Sequence, residues 1–155
     1  MSRRDSREAA VKIIFQNEFI DDRLRTGENA APADEGERVL VSSEDMLAMY
    51  LTSAEEKEAE KIDRAFVNKV LEAVLEHIGE IDTLIVSHIG QGWNINRLCK
   101  VDLAVLREAI AEMLYFNDIP VSVTINEAVE LAKAYSYPEA ASFINGILGS
   151  VSRNE

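Results

Sequence analysis

Between residues 62 and 78 the apolar side chains Ile62, Phe66, Val67, Val70, Leu71, Val74, Leu75 and Ile78 recur at steps of three and four. That spacing puts them on one face of a helix. A helix of this length is marginal by itself, and its apolar face must be covered by other elements. Thr52-Ser53-Ala54-Glu55 has the spacing of a capping box that opens this helix. Gly79 is read as its interruption, and residues 81–89 as a further helix.

The rest of the chain supplies matching faces. From Asp5 to about Arg23, Ala10, Val11, Ile14 and Phe15 form an apolar stripe, with Arg4, Arg7, Glu8 and Lys12 free to face outward. Residues 43–51 read as a short helix. A helix from about Leu98 to Phe116 turns Leu103, Leu106, Ile110, Met113 and Leu114 inward, and Asp118-Ile119-Pro120 stops it. Helices over about 122–135 and 139–152 follow, with Pro138 between them. Thr124 and Glu127 again have capping-box spacing, and Asn126 and Glu127 are placed to satisfy free N–H groups at a helix start. Gly146, inside a helical pattern at a cost of about 1 kcal/mol relative to alanine, points to a close helix–helix approach. Asn145 beside it suits a bond to neighbouring backbone. Gly90-Gln91-Gly92 marks a turn. The longest alternating stretch, Val121 to Ile125, reads as a helix entry. The fold class is therefore all-α, and a chain of 155 residues suits one domain, spanning 1–155. An acidic loop at about 26–42, carrying Gly27, Asn29, Pro32, Asp34 and Gly36, interrupts it and is read as flexible.

Several function classes are poorly supported. No stretch is apolar for long enough to span a bilayer, and Lys12, Gln16, Asn17 and Glu18 break the run that a secretory signal would need. The single cysteine, Cys99, has no internal disulfide partner, which suits a reducing, cytoplasmic setting, and is read as a buried structural thiol. His77 and His88 lack a second His or Cys at ligand spacing, so no metal site and no catalytic centre is expected. Gly90-x-Gly92 lacks the third glycine and the preceding strand of a dinucleotide fold, so no cofactor is expected either.

Net charge is −12, against the usual sign for a nucleic-acid binder, but it is unevenly spread. Residues 1–16 carry +2, residues 17–63 carry −9 and residues 64–155 carry −5. Arg3, Arg4 and Arg7 can give charge-assisted bonds to phosphates. Phe15 and Gln16, two turns on, can stack on and bond to bases, although Phe15 also fits a core position.

The run from Asp118 to Lys133 (Asp-Ile-Pro-Val-Ser-Val-Thr-Ile-Asn-Glu-Ala-Val-Glu-Leu-Ala-Lys) closely resembles the most recognisable motif of the NusB proteins. So does Phe143-Ile-Asn-Gly-Ile-Leu148, ten residues later. Trp93, Arg97-Leu98, Val101-Asp102 and Leu106-Arg107 resemble the preceding family segment, and Arg3-Arg4-x-x-Arg7-Glu8-x-Ala10-Val11 the opening helix. The resemblance covers about 1–20 and 62–152. It implies a compact bundle of about seven helices in two helical subdomains. It implies transcription antitermination without enzymatic activity. The implied partners are boxA-type single-stranded RNA of ribosomal RNA leader transcripts, a NusE-type small-subunit ribosomal protein and the RNA polymerase elongation complex. Carried over by position, the RNA face comprises Arg3, Arg4, Arg7, Lys12 and Phe15, closed by Ser142 and Phe143, with Glu139 at a position associated with the partner. Asp5 interrupts the basic run, and the acidic balance departs from an RNA binder's.

Three alternatives stay open. One is an acidic helical module that binds a basic protein and no RNA. Another is the accessory domain of an RNA methyltransferase, although no methyl-donor-binding region follows within the chain. The third is a homodimer that masks the RNA face.

Overall fold

The computed structural model describes residues 3–25, 42–92 and 94–153, with backbone alone for 18–25. The expected acidic loop falls almost wholly outside them, as does Trp93. Among the described residues there are eight α-helices and no strand: α1 (Arg3–Arg25), α2 (Ser43–Ser53), α3 (Glu56–Glu60), α4 (Arg64–Glu76), α5 (Ile78–His88), α6 (Lys100–Tyr115), α7 (Val121–Tyr135) and α8 (Ala140–Arg153). A 3-10 turn over Ile95–Arg97 leads into α6.

Helix α6 is the axis of the molecule. Every residue from Asp102 to Glu112 is buried, so this helix is covered on all sides. On one side it meets α1 and α4, which also pack on each other and on α2. On the other it meets α5, α7 and α8, with α8 lying along α7. Two groups of helices thus share one central element, and their buried side chains form one continuous core. The expected stripe behaves as read: Phe66, Val67, Val70, Leu71 and Val74 are all buried on α4. Ile144, Ile147, Leu148 and Val151 do the same on α8. Each such side chain contributes about 1.5–3 kcal/mol by leaving water.

Burying α6 on every side also buries its polar groups, and most are paired as a low-dielectric interior requires. Arg107, fully buried, forks onto Asp82 of α5 with both bonds at 2.9 Å. Asp102 accepts from the Ser136 hydroxyl at 2.6 Å. Glu112 takes Arg7 of α1.

Helix boundaries depart from the sequence reading where a polar side chain found a different partner. Thr52 does not cap a new helix. It is still inside α2, and its hydroxyl donates back to the Ala48 carbonyl. The long helix expected over 62–78 is α4 alone, capped by Asp63, whose carboxylate accepts from the Phe66 N–H at 3.2 Å. Ser6 of α1 accepts from the Asp63 N–H, so α1 also fixes the entry to α4. The α4–α5 break falls at His77 rather than Gly79, which lies inside α5. The short α3 accounts for eight helices in place of about seven. Helix α7 has no side-chain cap: Thr124 and Glu127 make tertiary contacts with α6 and α1 instead. Gly146 faces open space, with nothing within 4 Å of where a Cβ would stand, so close helix approach is not its reason. Gly90 and Gly92 do need their freedom, at φ of 95° and 85° in the turn before the 3-10 helix.

Candidate nucleic-acid interface

The first three turns of the N-terminal helix place Arg3, Arg4, Arg7 and Lys12 in four different environments. Arg3 is exposed, and its guanidinium lies 4.4 Å from the centre of the Phe66 ring. Among the described residues it makes no ion pair. Arg4 is 63% exposed and forks onto Glu127 of α7, Nε to Oε2 at 2.9 Å and Nη2 to Oε1 at 3.0 Å. The hydrogen bond and charge of Glu127 raise the Arg4 pKa, and Arg4 in turn holds the Glu127 carboxyl below the usual range. Lys12 is half-buried, 3.2 Å from Glu8 and 5.6 Å from the centre of the Tyr135 ring. Burial works against both of those charges, but the pair outweighs it: Lys12 is raised, and Glu8, which also accepts from the Tyr135 hydroxyl, is lowered.

Arg7 is the exception to the outward-facing row expected from the sequence. Only 4% exposed, it forks onto Glu112, with Nη2 to Oε1 and Nε to Oε2 both at 2.9 Å. Burial opposes its charge, yet Glu112, with Glu108 and Glu127 beyond it, keeps its pKa raised. A guanidinium held this way is committed to the fold and offers no donor to a phosphate. Glu108 stands one turn from Glu112, fully buried, with its Oε1 unpartnered. Burial, reinforced by the charge of Glu112 and opposed by Arg7, pushes the Glu108 carboxyl well above the ordinary carboxylate range.

Phe15 is half-buried and packs against the core, the core position its spacing also allows, rather than standing free as a stacking platform. Phe143, Glu139 and Ser142 lie elsewhere on the surface. Phe143 is half-buried and lines a groove of about 380 Å³ with Arg97, Leu98, Cys99, Asp102, Tyr137, Glu139 and Ala140. Cys99 is half-buried at this groove rather than sealed in the core. Ser142 is exposed on the first turn of α8.

The end of α7 joins the two places. Tyr135 meets Lys12 and Glu8 on the α1 side. Ser136 is tied to Asp102, and Tyr137 lines the groove. Tyr135 and Tyr137 are 47% and 71% exposed, two aromatic side chains close together on one short segment. Sequence reading passed over both, although two tyrosines flanking a helix end beside Pro138 are a visible signal. Arg97 is also exposed in the groove, and its place in the family segment alone gives it no role. On the α7 side of α1, Arg4 and Lys12 thus stand along α7, Lys12 against the Tyr135 ring at its end, and cations beside rings are the pairing with which proteins track a single-stranded backbone and stack its bases. Among the described residues no group of His, Cys, Asp and Glu has the arrangement to hold a metal ion.

Comparison with known proteins agrees along the whole chain. The model of the NusB family matches residues 4–153. The transcription antitermination protein NusB of Natranaerobius thermophilus is 40% identical over 151 residues, 97% of this chain and 94% of that protein. That of Acetivibrio thermocellus is 42% identical over 97% of this chain and 88% of its own length. Among solved structures, T. maritima NusB superposes with a TM-score of 0.74 at 31% identity, covering 100% of this chain and 93% of that one. A crystal structure of the antitermination factors NusB and NusE in complex with double-stranded RNA matches in fold, with a TM-score of 0.70 at 21% identity over 99% and 97% of the two chains.

Proposed function

The chain belongs to the NusB family, and on that basis we propose that it is a transcription antitermination factor that binds boxA-type single-stranded RNA together with a NusE-type ribosomal protein. The observation that carries the RNA reading is the side of α1 where Arg4 and Lys12 meet α7, continued through Tyr135 and Tyr137 to Phe143, with Arg3 exposed at the start of the helix. Arg3 and Arg4 supply charge to phosphates. The tyrosines and Phe143 supply rings on which bases stack, with Arg97 at the groove edge and Ser142 beside it. Arg7 and Phe15 act from beneath, holding the helix that presents this face. Glu139, at the mouth of the groove, is the position assigned to the protein partner.

The acidic remainder of the chain suits a basic ribosomal protein, since opposite charge speeds encounter more than it tightens the final complex. In this reading the domain spans 1–155, binds rather than catalyses, and joins the RNA polymerase elongation complex in the cytoplasm. Among the described residues no helix is long and apolar enough to cross a membrane.

The test is a titration of boxA-type RNA against a scrambled oligonucleotide, with and without the NusE-type protein. Selective binding that tightens with the partner is the expected result. With two arginine–phosphate contacts on single-stranded RNA, log K is expected to fall against log salt with a slope of roughly −1.4. Absence of any binding to RNA or partner at moderate salt sinks the reading. Sedimentation of the same samples separates a monomer from a homodimer that hides the face.

A further inference from the structure

Glu127 and Arg4 meet in a two-bond fork, the same planar geometry in which arginine takes a phosphate. One edge of the guanidinium cannot serve both. The two partners differ in how the fold holds them: Glu127 is 17% exposed on the flank of α7, while Arg4 is 63% exposed and reaches to it from the first turn of α1. The carboxylate is the fixed member, and the arginine is the one with somewhere else to go. Glu130 and Asp5 deepen the negative field around Arg4. Lys12 is similarly engaged by Glu8. Of Arg3, Arg4, Arg7 and Lys12, Arg3 alone has no carboxylate partner among the described residues.

We propose that Glu127 is an internal competitor for RNA phosphate at Arg4, so that the first turn of α1 offers Arg3 at rest and Arg4 only to a strand that displaces the carboxylate. This rests on the reading that α1 faces RNA. A loosely held polyanion meets a surface whose charge is already answered. A strand stacked on Tyr135 and Tyr137 presents its phosphate at high local concentration, where it can win the exchange. Glu127 thereby discriminates a strand held by its bases from one held by charge alone, which a chain of net charge −12 does by repulsion everywhere else.

The experiment measures binding of boxA-type and scrambled single-stranded RNA across a salt series for the wild type, Glu127→Gln, Arg4→Ala and the double variant. Glu127→Gln is expected to tighten both RNAs, the scrambled one more, by about two- to fivefold at low salt, as an exposed ion pair allows. For scrambled RNA its log K against log salt should steepen by about 0.7, the value of one further phosphate, and for boxA-type RNA, which already reaches Arg4, the slope should stay as in the wild type. Arg4→Ala is expected to change wild-type binding to scrambled RNA by less than about twofold and to abolish the whole gain in the Glu127→Gln background, a coupling that a double-mutant cycle reads directly. A second measurement needs no variant: in a carboxyl NMR titration of the wild type, boxA-type RNA should let the depressed Glu127 pKa rise toward the ordinary carboxylate range. Weaker binding by Glu127→Gln, equal cost of Arg4→Ala in both backgrounds, or a Glu127 titration indifferent to bound RNA overturns the competition. Wild-type protein that binds neither RNA overturns the RNA reading itself. Binding without these responses overturns the competition alone.

Discussion

Arg4 and Arg7 lie one helical turn apart on α1, and each is forked by a glutamate from another helix at nearly the same distances. They differ in water. Arg7 and Glu112 are 4% and 0% exposed, between α1 and the central helix, whereas Arg4 stands 63% exposed on the outer seam with α7. In the interior, removing one partner strands the other as an uncompensated charge. At the surface, water and salt take over the role of the lost partner. One ion-pair chemistry therefore yields a structural fastening at one turn and an exchangeable contact at the next. Spacing and residue type alone assign both arginines to one basic row.

The largest expected effect tests the buried half of this contrast. Arg7→Ala leaves Glu112 and Glu108 facing each other without a cation, and about 3–5 kcal/mol of stability should be lost in urea denaturation. A midpoint equal to the wild type would erase the distinction between the two arginines.

A smaller, pH-dependent effect belongs to Glu108. Between the ordinary carboxylate range and its raised folded value, Glu108 is protonated in the fold and ionised in the unfolded chain, so rising pH withdraws stability. Glu8 and Glu127 act in the opposite sense: held below the usual range, they stabilise above it and lose that contribution on acidification. Glu108→Gln, neutral at every pH, should raise the urea midpoint at pH 8 relative to the wild type and leave it unchanged at pH 4. A gain of equal size at both pH values would mean that packing rather than a buried proton governs this site.

The smallest effect sharpens the exposed half. Arg4→Ala should leave the urea midpoint within error of the wild type, because its pair is open to solvent. A cost approaching that of Arg7→Ala would make both contacts structural and remove the basis for exchange at Glu127.

The apolar periodicity made the helices legible, since an amphipathic stripe has few other ways to fold. Phe66 to Val74 on α4 and Ile144 to Val151 on α8 are buried as the spacing requires. Charged partners were not legible. Arg7 reads as solvent-facing because its partner Glu112 is 105 positions away, and only tertiary packing brings them together. Thr124 and Glu127 have the spacing of a cap yet serve α6 and α1, for the same reason. At the candidate interface the cations of α1 were visible in sequence. The joining role of Tyr135 and Tyr137 was not, because it depends on where α7 ends relative to α1 and α6.

Ser136, between those two tyrosines, is fastened to Asp102 at the start of the central helix. The separation of the two rings is thus set from inside the protein, as the marks on a ruler are set by the bar that carries them. On the proposed RNA face, a strand laid across both rings would be gauged for its stride from one base to the next. A substitution near the start of α6, remote from any nucleotide, would then register at the surface as an altered preference for spacing.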